Sequence, residues 1–319
     1  MVGIIGSETT KNYGILKDLE HMNSIQVFYT KPPQLKGTLA WSLLHRILPS
    51  TMENIGMTMP WEKKVLDTIE KYDRIVVVDT ALRWLELDFL LKCRERKPNL
   101  IIECLLLNSI SSMAFSEKKI KTKFYLFEWN DVLTFDPGDA EKNNWKYIGL
   151  HYYSKLEMGA IEDVKSDAFF AGSLAGSRGE EIKKILVYMN EHGVKCDFLC
   201  PRLSWRQKYE NFPAGIKLLR RRIPYKTMLQ DMTTSNCIVE VLQEGQNGSS
   251  LRYFEAVCYN KKLLTTNTQI VKYPFYDKRY MRVFHDISDI NCEWIKMKEN
   301  INYGYTDEFS PKYLFVENE

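Results

Sequence analysis

"KVLDTIEKYDRIVVVDTALRWLELDFLLKCRERKPNLIIECLL", Lys64 to Leu106, alternates two kinds of segment. "KVLDTIEKYD" has helical spacing, and "RIVVVDT" is a continuous, largely β-branched run. "ALRWLELDFLLKCRERKP" is apolar at i, i+3 and i+4 and closes at Lys97-Pro98, before the strand-like "NLIIECLL". Strands apolar on both faces, alternating with amphipathic helices, belong in a parallel sheet covered on both sides. The expected fold class is α/β.

The same alternation extends in both directions. Val2 to Ile5 reads as a short strand ending at Gly6-Ser7. Phe124 to Tyr153 is aromatic and turn-rich, and Asp139 of Asp136-Pro137-Gly138-Asp139 is expected to cap a short helix. "SKLEMGAIEDVKSD" is polar and reads as a linker, after which a second α/β series begins at Ala168. Its strands are "AFFAGS", "VKCDFLC", "GIKLLRR", "NCIVEVL" and "KKLLTTN"; its helices are "RGEEIKKILVYMNEHG", "PYKTMLQDMTTS" and a segment from Leu251. Two Rossmann-like domains facing a central cleft are expected, residues 1–157 and 158–285, followed by a C-terminal segment over 286–319.

A chain of 319 residues suits about two domains of roughly 150 residues each. With 45% hydrophobic and 27% charged residues it is a folding sequence, and 44 basic against 41 acidic residues disfavour a nucleic-acid partner. The seven cysteines (93, 104, 196, 200, 237, 258 and 292) are odd in number and sit mostly in apolar runs, the pattern of reduced, buried thiols in a cytoplasmic setting. Cys196 and Cys200 read as core, and no metal site is expected. No leader or membrane span is expected, and peripheral association with a membrane surface stays open. His45, His151 and His285 read as structural.

Three stretches carry chemistry. In "FFAGSLAGSRGEEIKK", a strand runs into Gly172-Ser173 and Arg178 opens a helix, where glycines, a helix N-terminus and a guanidinium suit a phosphate. In "VLQEGQNGSSLRYFEAVCYN", Ser249 or Ser250 caps a helix carrying Arg252 and Glu255, either as a surface i, i+3 ion pair or with the carboxylate free for a ribose diol. In "LLRRRIPYKTML", Arg220 to Arg222 precede Ile223-Pro224-Tyr225, either a basic rim or a place where backbone and ring grip a base.

These stations, in this order, resemble the donor half of GT-B-fold glycosyltransferases. More narrowly, they look like the bacterial capsule, O-antigen and exopolysaccharide transferases called lipopolysaccharide biosynthesis proteins, over about residues 70 to 275. The resemblance implies a metal-independent, cofactor-free enzyme at the cytoplasmic face of the membrane. It would take a nucleotide-diphosphate sugar to a lipid-linked or oligosaccharide acceptor. By this likeness Gly172, Ser173 and Arg178 face the diphosphate, Arg222, Ile223 and Tyr225 the base, and Glu255 the ribose. Where such enzymes place a first Glu, this chain has Asn247, so the sugar falls to Gln246, Asn247 or the backbone of Gly248, Ser249 and Leu251. A general base from the first domain would be Asp79 or Glu8, with Asn108-Ser109 orienting; Asp79 reads equally as a helix cap. A sugar-nucleotide epimerase on the same frame, or a non-catalytic partner protein with a degenerate cleft, are the alternatives.

Overall fold

The structure, a computed structural model, describes residues 1–30, 60–110, 118–159, 163–174, 176–201, 212–220, 223–243 and 248–315. The chain divides into two compact units: Met1–Phe135 with Asp139–Tyr152 and Pro311–Glu319, and Tyr153–Ser310 with Asp136–Gly138.

The first unit holds β1 (Val2–Ser7), β2 (Ile25–Thr30), β3 (Arg74–Val78), β4 (Ile101–Leu106), β5 (Asp131–Thr134) and β6 (Lys146–Tyr147) in one parallel sheet of order β2-β1-β3-β4-β5-β6. The central strand β3 is buried along Ile75–Val78 because helices cover the sheet, which explains its unbroken apolar run. The helices are α1 (Glu8–Asn12), α2 (Pro60–Asp67), α3 (Leu87–Arg96), α4 (Lys118–Leu126) and α5 (Pro137–Asn143). "ALRWLELDFLLKCRERKP" is not one helix. A 3-10 turn over Asp79–Arg83 precedes α3, and Lys123 Nζ takes the Leu85 carbonyl at 2.5 Å, an acceptor that a continuous helix would use internally.

The second unit holds β7 (Ser166–Ala171), β8 (Cys196–Pro201), β9 (Ile216–Leu219), β10 (Ser235–Glu240), β11 (Lys262–Thr265) and β12 (Met281–Val283), again all parallel, in the order β12-β11-β10-β7-β8-β9. Its helices are α6 (Gly176–Glu191), α7 (Tyr225–Thr233), α8 (Leu251–Cys258) and α9 (Cys292–Lys296). Every residue of β10 is buried. Cys200 and Cys237 lie inside the core of this sheet, and all seven cysteines are unbridged thiols.

The fold is thus α/β with two Rossmann-like units. In the second, the chain moves from β7 out to β8 and β9, then crosses back to β10 on the other side of β7. Ligands of such sheets bind outside the carboxyl ends of the two strands flanking this reversal, here β7 and β10. In the first unit the corresponding point lies between β1 and β3. No helix of the described residues is long and apolar enough to cross a membrane.

Candidate active site

Beyond the end of β7, Gly172 leaves room for two neighbouring side chains. A Cβ there would sit 2.8 Å from the Phe170 ring and closer still to Arg178 Nη2. The absent side chain is the seat of the Arg178 guanidinium, which also lies 5.7 Å from the Phe170 ring centroid. Gly179 lets α6 dock on the preceding turn, since a Cβ would meet the Leu174 carbonyl oxygen at 2.5 Å. Arg178 is therefore pinned in the first turn of a 16-residue helix, where the positive end of the dipole lies.

Its Nε is buried and has no hydrogen-bond acceptor among the described residues. Burial, and then the like charge of Arg252, disfavour the protonated form of Arg178. A buried guanidinium donor beside a second cation is a place that gains from an incoming anion.

Across the switch point, Ser250 caps α8: its Oγ accepts from Arg252 N at 3.1 Å and donates to Glu240 at the end of β10. Of the two candidate serines, then, Ser250 is the cap; Ser249 is buried and its hydroxyl reaches the Ser250 carbonyl at 3.4 Å. The other Glu240 oxygen accepts from Thr265 Oγ1 of β11. Burial raises the Glu240 carboxyl, and the two hydroxyls and the arginines pull it back down.

Arg252 and Glu255 do form the i, i+3 ion pair, but not at the surface: Glu255 is 0% exposed. α8 turns Tyr253 through Cys258 into the core, so Glu255 cannot reach solvent. One carboxylate oxygen takes Arg252 Nη1 and the other takes the Tyr225 hydroxyl at 2.7 Å. Arg252 Nη2 also donates to the Ala171 carbonyl at 3.2 Å, tying α8 to the end of β7. The expected open ribose clamp is corrected accordingly. Glu255 neutralises and aims Arg252, and burial raises its carboxyl while Arg252 lowers it.

Tyr225 changes role for the same reason. Expected to face a base, it is 5% exposed, and its hydroxyl lies between Glu255 and the Tyr153 hydroxyl, 3.1 Å away. Tyr153 in turn stacks on Phe254 of α8, centroids 5.4 Å apart. Ile223 is half-buried just before α7, and Leu251 begins α8 with Gly248 buried ahead of it. Arg222, Gln246, Asn247 and His45 lie outside the described residues.

In the first unit, Asp79 lies at the end of β3 and is 0% exposed. One oxygen accepts from Thr80 N at 2.6 Å, and the other from Leu107 N, Asn108 N and Asn108 Nδ2 at 3.3, 3.0 and 2.9 Å. It is therefore neither an open base nor the cap of α3, but a tie between the ends of β3 and β4. Ser109 does not orient it; its hydroxyl donates to Asp139 at 2.9 Å, and Ile110 N donates to the same oxygen at 2.7 Å. Asp139 is thus an internal anchor within α5, while Asp136 Oδ1 accepts from Gly138 N. Glu8 is half-buried in the first turn of α1, which Ser7 and Thr10 cap reciprocally while both bond to the Thr80 hydroxyl.

Burial pushes the Asp79 carboxyl up to about 7, against the pull of its hydrogen bonds. Unfolded, it titrates near 3.9, so between these values the folded state holds a proton that the unfolded state has lost. Stability contributed by this group is complete below about pH 4 and is lost as pH rises through 7, by up to roughly 1.4 kcal/mol per pH unit. Urea midpoints measured from pH 5 to 8 should fall more steeply for the wild type than for Asp79→Asn. Parallel profiles would mean that the carboxyl is ionised throughout.

Sequence reasoning missed Glu240, Tyr153 and Thr265. Glu240 had a signal, a lone acid closing the apolar "NCIVE"; the other two are joined to the site only by tertiary contacts.

No family model matches the chain, and no curated protein matches it. Solved structures do resemble it. A variant of S. aureus TarM in complex with Fondaparinux, alpha-GlcNAc-glycerol and UDP is 10% identical at a TM-score of 0.46, over 74% of this chain and 50% of that one. The glycotransferase of kitacinnamycin is 9% identical at 0.41, over 92% and 88%. The glycosyltransferase SnogD from Streptomyces nogalater is 13% identical at 0.35, over 84% and 82%. The chain spans about half the length of the TarM structures.

Proposed function

We propose that the chain is a glycosyltransferase that binds a nucleotide-diphosphate sugar outside the carboxyl ends of β7 and β10. The sugar passes to a lipid-linked or oligosaccharide acceptor of surface polysaccharide assembly, at the inner face of the membrane. In this reading the second unit is the donor side and the first unit the acceptor side. The observation that carries it is Arg178: a half-buried side chain seated on Gly172 at the switch point, whose buried Nε has no acceptor among the described residues and which stands beside the charge of Arg252.

Glycosyl transfer leaves negative charge on the departing diphosphate. Arg178, Arg252 and the N-terminus of α6 stabilise that charge without reorganising, so the reading calls for no metal. Glu255 holds Arg252 in place and compensates its charge beside Arg178. Its full enclosure also favours the second reading, a non-catalytic partner with a degenerate cleft.

Thermal melting with nucleoside diphosphates separates the two. At a ligand concentration of about 100 times Kd, binding adds roughly 2.7 kcal/mol, a shift of several degrees. UDP, GDP or dTDP is expected to raise the melting temperature. No shift with any of the three favours the partner protein.

A further inference from the structure

The first unit holds a cavity of about 370 Å³ whose lining includes Arg74, Leu133, Lys146, Tyr147, His151 and Tyr313. Strand register explains how these residues meet. β4 pairs Glu103 with Val76 of β3 and Leu105 with Leu133 of β5, and Leu133 pairs with Lys146 of β6. Side chains alternate along each strand, so Arg74, Glu103, Leu133 and Lys146 share one face of the sheet. Ile75, Val77, Ile102, Cys104 and Val132 take the other face and form the core. The cavity thus lies on the face turned away from that core, bordered by Tyr313 and Leu314 of the turn Pro311–Leu314. It is separate from the switch point between β1 and β3, since Arg74 opens β3 at the far end of the strand and β6 is the edge strand beyond β4 and β5.

Arg74 is fixed from two sides: its Nε donates to Glu103, and its guanidinium carbon lies 5.2 Å from the Phe315 ring centroid. Its terminal Nη groups meet no acceptor among the described residues, which leaves a planar fork of donors at the cavity. Lys146 stands three inter-strand spacings away, about 14 Å between strands, so the cavity extends over β4 and β5 between two cationic ends. Tyr147 and Tyr313 are 48% and 45% exposed, and the His151 ring lies on Tyr313 with centroids 5.6 Å apart. Rings of this kind offer flat apolar faces that the C–H face of a pyranose covers, while a few charged groups serve its oxygens. The volume is far more than a bare inorganic anion fills and accommodates a sugar ring or two. Glu103 offsets Arg74, and Asp131 shares the face without joining the lining, so the lining carries one positive charge in excess, that of Lys146. One carboxylate balances this charge; a nucleotide phosphate brings more.

We infer that this cavity is a second saccharide site, distinct from the proposed donor site, that takes a one- or two-residue segment of a glycan bearing a carboxylate. The probes are digalacturonate and a glucuronate–N-acetylglucosamine disaccharide, with cellobiose as the neutral counterpart, titrated into the full chain by ligand-observed NMR at pH 7. Inorganic phosphate and UMP serve as competitors. An acidic disaccharide is expected to bind about tenfold more tightly than cellobiose and to resist both competitors. Lys146→Gln and Tyr147→Ala, on the exposed edge strand β6, are each expected to weaken it about tenfold and to leave the affinity for UDP unchanged. Arg74→Lys tests the fork; because it disturbs the pair with Glu103, the two β6 variants carry the result should it fold poorly. Equal affinity for acidic and neutral disaccharides, displacement by phosphate or UMP, binding that both β6 variants leave unchanged, or no binding of either acid would each overturn the inference. A wild type that binds no nucleoside diphosphate overturns the proposed donor site and leaves this one standing.

Discussion

Arg178→Ala is expected to lower turnover of the nucleotide sugar by about a hundredfold to a thousandfold, the usual cost of removing one preorganised donor from developing charge. Stability should change little, by less than about 1 kcal/mol. The guanidinium Nε has no acceptor among the described residues and stands beside the like charge of Arg252, so its removal relieves as much as it forfeits. Arg178→Lys should fall between the two, because an ammonium keeps the charge but not the planar fork. Parallel kinetics and chemical denaturation check this. A variant that loses several kcal/mol of stability while its residual folded fraction turns over normally would make Arg178 a packing residue.

Glu255→Ala is expected to act in the opposite sense, costing about 3 to 5 kcal/mol of stability, because it removes one partner of a buried pair and strands the other. Arg252, whose guanidinium also reaches the Ala171 carbonyl and the Met228 sulfur, would lose its carboxylate counter-ion, and the Tyr225 hydroxyl would lose its carboxylate acceptor. Tyr225→Phe deletes one hydrogen bond to the carboxylate and should cost about 1.5 to 3 kcal/mol. Replacing both members of the pair, Glu255→Leu with Arg252→Met, should recover part of the loss while leaving nucleotide binding weakened. Urea denaturation of the single and double variants provides the check. Additive losses would show that the two side chains do not act as a pair.

Much of the frame could be read from local pattern. "RIVVV" and "NCIVE" are apolar on both faces because each is a central strand with helices on either side, and that pattern needs no knowledge of the neighbours. The Gly172–Arg178 station was legible for a similar reason. A strand end, small residues and a helix start are consecutive in the chain, so their juxtaposition is covalent. The two proposals for Arg252 and Glu255 could not be separated by spacing, because i, i+3 neighbours on a helix meet whether their face looks outward or inward. Orientation was settled by packing: Tyr253, Phe254, Ala256, Val257 and Cys258 all face the core and carry Glu255 with them.

The same limit explains Asp79 and Tyr225. Each was placed correctly, one at the C-terminal end of a strand and the other at the start of a helix, and in each the polar atom turns inward. Four N–H donors from two loops converge on Asp79, and Tyr153, distant in sequence, meets Tyr225 hydroxyl to hydroxyl. By itself the sequence determined the α/β class, the run of strands and helices, and the glycine-lined turn that seats an arginine, since these follow from residues adjacent in the chain. The tertiary structure alone decided strand order, and with it which two strand ends flank the switch point. It also decided which carboxylates are enclosed and that Arg178 Nε has no acceptor among the described residues, because burial and partnership depend on what the fold brings from elsewhere in the chain.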